Sequence, residues 1–231
     1  MPRRLRVNSG GYVYHALNRA VARDVIFHKD ADYQAFEKVL AEVHGRLPVR
    51  VLGYCLMPNH WHLVLWPKAD GELSEFVRLL TVTHTQRWHA HYHSAGSGPL
   101  YQGRFKSFPV QRDDHLLTVL RYVERNPLRA HLVEKAETWK WSSLAKHAGS
   151  ALPAWLTPAD KWPVDRRKDW VSWVNHAQTP AEVEAVRTCV QRGRPYGGDA
   201  WIARTAKALQ LQSTLRDPGR PRIQKNDSRP L

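Results

Sequence analysis

Cysteine is scarce: Cys55 and Cys189 are the two thiols of 231 residues. A chain of this length buries a core without covalent staples, so no disulfide framework is expected. No uninterrupted apolar stretch approaches the ~18–20 residues of a membrane span. The opening Met1-Pro2-Arg3-Arg4-Leu5-Arg6 runs into no apolar segment of the kind a secretory signal carries. Acidic residues are also in deficit, 21 Asp+Glu against 35 Lys+Arg. With 24% charged and 42% hydrophobic residues, wholesale disorder is not expected, and no repeat at solenoid periods is present. These absences leave a reduced, cytoplasmic, water-soluble protein: one compact domain plus a second small unit or a long tail.

What is abundant is positive charge. A formal net charge of +14 and a pI near 10.1 favour polyanionic partners, of which nucleic acid is the commonest. Aromatic residues interleave with the arginines, and such mixed surfaces suit single strands, whose exposed bases stack on rings. Charge alone gives only the class of partner, and a merely basic surface is the plain alternative.

Periodicity orders the first two thirds of the chain. Gly11–Leu17 alternates and reads as a strand. Asp30 and Asp32 offer caps for a helix to about Val43, with Tyr33, Phe36, Val39 and Leu40 on one face. Val49–Leu56 and His60–Trp66 read as strands around the turn Met57-Pro58-Asn59. Leu73–Ala90 has helical spacing. Arg104–Val110 reads as a strand whose Pro109 implies an edge or a bulge. A helix capped by Asp113 or Asp114 ends near Asn126, ahead of Pro127. The order β-α-β-β-α-β-α is the split βαβ, ferredoxin-like pattern. It predicts an α+β fold: an antiparallel sheet with helices on one face, and an opposite face or rim free for a site.

Composition shifts near residue 150. Residues 151–231 read as a tryptophan-rich, basic helical extension. Thr179, Pro180 and Glu182 signal a helix start, Gly193 its stop, and Asp199 caps a further helix to about Leu211. From Arg192 onward the chain carries a net +6, and its prolines imply a flexible end.

The sharpest local feature is Asn59-His60-Trp61-His62-Leu63-Val64-Leu65. On a strand, His60 and His62 share a face with Cα atoms ~6.5–7 Å apart, so both imidazoles can converge on one metal ion while Trp61, Leu63 and Leu65 anchor the other face. A second pair, His89-Ala90-His91, sits at a helix end, where i and i+2 diverge by ~200° and cannot chelate together. On the helix ending near Asn126, Leu116, Leu117, Leu120 and Val123 form the apolar stripe. That spacing turns Tyr122 away from the core, with His115, Thr118 and Asn126 on its side and Asn126 one turn on. Such a tyrosine beside a carboxamide is a candidate nucleophile, and an ordinary interfacial tyrosine is the plain alternative.

The two-histidine strand followed by Arg121-Tyr122-Val123-Glu124-Arg125-Asn126-Pro127-Leu128-Arg129-Ala130 resembles the single-tyrosine HUH transposases. More narrowly it is similar to the REP-associated tyrosine transposases, a bacterial branch of IS200-like enzymes linked to repetitive extragenic palindromes. Asn18-Arg19, Val25-Ile26-Phe27, Asp32-Tyr33, Tyr101-Gln102-Gly103-Arg104-Phe105-Lys106-Ser107 and Trp139-Lys140-Trp141-Ser142-Ser143 carry the likeness further. Ala20 and Leu144 depart from it, where a glycine and an aromatic are usual. The resemblance covers roughly residues 1–147, so residues 1–150 are expected to form the transposase domain.

The resemblance implies cleavage and rejoining of single-stranded DNA at palindromic, REP-like hairpins through a 5′-phosphotyrosine on Tyr122. His60, His62 and Asn126 are the expected ligands of Mg²⁺ or Mn²⁺, a mixed N/O set without thiolate. DNA contacts are expected from Arg3, Arg4, Arg6, Gln102, Arg104, Lys106, Arg125, Arg129, Arg192 and Arg194. Arg192-Gly193-Arg194-Pro195 also echoes a minor-groove AT-hook core, although a helix stop followed by a basic loop is the preferred reading. The implied setting is the bacterial cytoplasm, at the nucleoid, as monomer or homodimer. Two alternatives stay open: a catalytically silent DNA-binding repressor of the same fold, and an HUH replication initiator or relaxase.

Overall fold

A computed structural model describes residues 7–149 and 152–216. Strands β1 (Val13–Arg19), β2 (Arg50–Met57), β3 (His60–Trp66) and β4 (Lys106–Val110) form one antiparallel sheet in the order β2-β3-β1-β4. Pro109 lies on the edge strand β4, where a residue without an N–H can be tolerated. Between the strands run α1 (Asp30–Arg46) and α2 (Glu72–His91), and after β4 comes α3 (Asp114–Glu124). This is the α+β order that the periodicity implied. Lys29 holds the cap position, Asp30 is the first residue of α1, and Asp32 caps from the first turn: its Oδ2 accepts the backbone N–H groups of His28 (2.8 Å) and Lys29 (3.1 Å).

Alternation divides the sheet into two faces. Tyr14 and Ala16 of β1 and Trp61, Leu63 and Leu65 of β3 pack against Phe36, Val39 and Leu40 of α1 and Phe76, Val77 and Leu80 of α2. The other face carries Val13, Cys55, Val64, Phe108 and Val110, and α3 lies on it through Leu116, Leu117, Leu120 and Val123. Gly53 permits the approach of α3 to β2, since a Cβ there would lie 2.6 Å from Leu120 Cδ2.

That second face was expected to be free, and it is roofed. Beyond α4 (Asn126–Arg129) and α5 (Ser143–Ala148), the extension contributes α6 (Trp170–Asn175), α7 (Pro180–Arg192) and α8 (Asp199–Ala208). Trp162, Trp170, Val174, Val186 and Cys189 close over α3. The cover is polar as well as apolar. Glu124 is fully buried, and its carboxylate accepts Ser143 Oγ–H (2.6 Å) and Trp170 Nε1–H (2.7 Å). Both cysteines are free and buried. No helix among the described residues is long and apolar enough to cross a membrane.

Candidate active site

Strand alternation puts Trp61 into the α1/α2 core and His60 and His62 on the opposite face, with ring centroids 5.0 Å apart. His60 is half-buried and His62 is 4% exposed. Asn59 Oδ1 can only accept, so at 2.6 Å it takes the Nδ1–H of His60 and leaves Nε2 with the lone pair. His62 Nδ1 lies 2.8 Å from Nε2 of His15, whose ring stacks on it at 5.0 Å between centroids. With the shared hydrogen on His62 Nδ1, His62 Nε2 is also a lone-pair donor. Burial pushes His15 down to about 3. His60 also falls to about 3, through burial first and then the charges of Arg19 and Arg129. Burial, followed by its histidine neighbours, holds His62 well below the ordinary imidazole value. All three rings are therefore neutral near pH 7, the form that ligates metal.

Tyr122 does not face away from the core as its helical position predicts. It is 7% exposed, and its ring stands edge-on to both His15 (6.3 Å between centroids, 84°) and His62 (6.2 Å, 83°). The C-terminal half of α3 is wrapped on all sides, by the sheet and by the extension, so no solvent face remains there. The single-stripe rule assumes one buried face and fails where a helix has two covers.

Asn126 follows the break between α3 and α4, and its Oδ1 accepts from Arg129, not from any histidine partner. Its Nδ2 is buried without a hydrogen-bond partner. The Arg129 guanidinium lies 4.2 Å from the centre of the Tyr122 ring, a cation–π contact, and also reaches Tyr122 O (3.3 Å). Arg129, expected on DNA, thus sits against the tyrosine.

The remaining basic candidates divide. Arg3, Arg4 and Arg6 lie outside the described residues, as does the chain end from residue 217. Gln102 and Arg104 are exposed on a loop tied to the end of β1: Gln102 N donates to Arg19 O (2.9 Å), and Asn18 Nδ2 donates to Gly103 O (3.2 Å). Lys106 is exposed on the histidine face, paired with Leu17, which in turn pairs with His62. Arg125 corrects the expectation. Its guanidinium donates to Val174 O (2.8 Å) and Asn175 O, satisfying carbonyls at the end of α6. Arg192 ends α7, and Gly193 closes it in the left-handed region (φ 70°), so the local geometry of the AT-hook echo is that of a helix stop. Arg194 is half-buried in the following turn.

Among the described residues no three His, Cys, Asp or Glu side chains could hold an ion alone. Two neutral imidazoles with lone pairs on one face do fit a divalent ion that completes its shell with oxygen from solvent or substrate. Asn126 fits that set only after Arg129 releases its oxygen.

A family model described as "Transposase IS200 like" matches residues 9–126, from the approach to β1 through His60, His62 and Tyr122 to Asn126. The chain belongs to the IS200-like transposase family. Among solved structures, that of a REP-associated tyrosine transposase bound to a REP hairpin is similar in fold: 16% identity, TM-score 0.54, covering 67% of this chain and 90% of the other. A candidate transposase from Deinococcus radiodurans R1 is 15% identical, with TM-score 0.38 over 57% of this chain and 92% of its own. No curated protein matches.

Two residues at the site of this IS200-like transposase, His15 and Arg19, were not among the site candidates read from the sequence, although Arg19 belongs to a stretch that carries the likeness. His15 interrupts the inward-facing series Val13, Leu17 on β1, a polar residue where an apolar one is expected. Arg19 pairs with His60, and its Nε is buried without a partner. Which β3 residue each would meet depends on register, which local pattern does not supply.

Proposed function

We propose that this transposase cleaves and rejoins single-stranded DNA at palindromic, REP-like hairpins through a 5′-phosphotyrosine at Tyr122. The carrying observation is the edge-on contact of Tyr122 with both His15 and His62, which unites residues 60 positions apart in one ring cluster. The REP hairpin held by the similarly folded transposase supports the choice of substrate.

The chain's own residues supply most of the chemistry. Tyr122 Oη loses its proton to solvent and attacks phosphorus, and the 3′-oxygen leaves and takes a proton from water. The aryl phosphate keeps the energy of the broken bond, so a 3′-OH can return and rejoin strands. Arg129 packs its guanidinium over the phenol ring and fixes the ring's orientation. His15 holds His62 in the tautomer that presents Nε2, and Asn59 does the same for His60. Mg²⁺ or Mn²⁺ bound by His60 and His62, with Asn126 as a further ligand, would offset charge on the phosphoryl oxygen.

Incubating the protein with a labelled hairpin carrying a single-stranded flank and Mn²⁺ tests this reading on a denaturing gel. A protein–DNA adduct in the wild type, abolished in Tyr122→Phe, is the expected result. An adduct that persists in Tyr122→Phe, or hairpin binding with no adduct in the wild type, contradicts it, and the second outcome is that of a silent DNA-binding protein.

A further inference from the structure

The C-terminal extension grips α3 and α4 through a row of arginines. Arg121, Arg125 and Arg129 recur every fourth residue, so their side chains follow one another across the break between the two helices. All three reach the connection between α6 and α7. Arg121 donates to His176 O (2.9 Å) and Ala177 O (3.3 Å), Arg125 to Val174 O (2.8 Å) and Asn175 O, and Arg129 to Gln178 Oε1 (3.3 Å). The first two arginines meet backbone carbonyls, which any residue would supply. The third meets a side chain, so that contact depends on which residue stands at 178.

Gln178 is buried and its backbone is well anchored. It immediately precedes Thr179, whose hydroxyl accepts the Glu182 N–H (3.2 Å) while Glu182 Oε2 accepts the Thr179 N–H (2.7 Å), a reciprocal cap at the start of α7. Arg129 therefore lies between two carboxamides. Its Nη1 donates to Gln178 Oε1, and its Nη2 donates to Asn126 Oδ1 and to Tyr122 O. Each amide gives its oxygen to the guanidinium and keeps a buried NH₂ group without a hydrogen-bond partner. Asn126 Oδ1 is also the atom a divalent ion would take. A guanidinium and a dication on one carbonyl oxygen repel each other, so Asn126 ligates only as Arg129 shifts toward another acceptor. Gln178 Oε1 is that acceptor: at 3.3 Å it is already in reach, with room to shorten toward ~2.9 Å.

We propose that Gln178 is a positioning residue of the metal site. By drawing the Arg129 guanidinium toward itself, it sets how strongly that charge holds Asn126 Oδ1, and so how readily Asn126 joins His60 and His62 around a divalent ion. The extension thereby acts on the site through one side chain, at a residue that touches neither metal nor substrate. The inference rests on the reading of His60, His62 and Asn126 as the ligand set.

The test is calorimetric titration of full-length, DNA-free protein with Mn²⁺, using two variants of nearly unchanged side-chain volume. Gln178→Met removes the acceptor and leaves Arg129 on Asn126, so Mn²⁺ affinity should fall by ~3–10-fold, at the lower end of what losing an outer partner costs a metal site. Gln178→Glu offers a carboxylate, which binds a guanidinium more strongly than an amide does, and affinity should rise by ~3–10-fold. In an Asn126→Ala background both changes should shrink below ~1.5-fold, because the residue that transmits them is gone. A general loosening of the extension would instead weaken Mn²⁺ binding in both variants. Shifts in the same direction, no shift in either, shifts that persist undiminished in Asn126→Ala, or no uptake of Mn²⁺ by the wild type would overturn the inference. The tyrosine adduct is scored separately. If the wild type forms it while the variants at 178 leave Mn²⁺ affinity unchanged, the role of Gln178 fails and the catalytic reading stands. If affinity moves in the two opposite directions but no adduct forms, the role of Gln178 stands and the catalytic reading fails.

Discussion

At the scale of single residues, the site is built from side chains that fix one another. His60 and His62 were legible in the sequence because strand alternation is local and needs no partner to be seen. His15 was not, since its contact with His62 spans 47 positions and is set by the β1–β3 pairing His15↔Val64. The hydrogen bond between His15 Nε2 and His62 Nδ1 predicts a measurable role. His15→Ala should weaken Mn²⁺ binding to DNA-free protein by ~10–100-fold, the usual cost of losing an outer partner of a metal ligand. His15→Gln, whose amide oxygen can accept the same N–H, should recover part of it. Calorimetric titration with Mn²⁺ measures both, and an unchanged affinity in His15→Ala would show that His62 needs no orienting partner.

At the scale of elements, α3 is where local pattern fell short. Its apolar stripe was legible, and so was the Asp113 cap, whose side chain accepts the His115 N–H (2.9 Å). The direction of Tyr122 was not, because the helix carries a second cover from residues far along the chain. Glu124 shows the same limit: in sequence it is one more charged residue, and in the fold it bonds α3 to α5 and α6. Burial pushes its carboxyl pKa up. The seating of α3 on the sheet can be tested at Gly53, where an added methyl would meet Leu120 Cδ2 at 2.6 Å and Ser143 Oγ at 3.2 Å. Gly53→Ala should cost ~1–3 kcal/mol of stability, as overpacking does. Because the displaced helix carries Tyr122, adduct formation should fall as well. Urea denaturation and the gel assay read the two effects, and full stability with full activity would mean that α3 sits further from β2 than described.

At the scale of the whole molecule, charge and buried imidazoles govern behaviour. The net charge of +14 pointed to a polyanion without saying where it would lie. Register and the extension bring Lys106 and Arg192, far apart in sequence, to the walls of one cleft. Behind the sheet, His84 is buried beside Phe27 and Phe36 and receives the Tyr101 hydroxyl on Nδ1 (2.8 Å). Burial lowers its pKa to about 3, against a smaller upward pull from Asp32. Between that value and the ~6.5 of a free histidine, the unfolded chain takes up a proton that the folded chain refuses. Stability is therefore full above about pH 6.5 and declines as pH falls toward 3. His15 and His60 contribute in the same direction. Thermal melts across this window should show His84→Gln flattening the pH dependence, and an unaltered slope would contradict it.

The central claim is that the phenol of α3, and no other, takes the phosphate. Digesting the covalent complex formed with a tailed hairpin and weighing its peptides tests this directly. The account predicts a nucleotide remnant on the peptide holding Tyr122 and on none other. A remnant on Tyr101, on Tyr196 or on any residue except Tyr122 would contradict it.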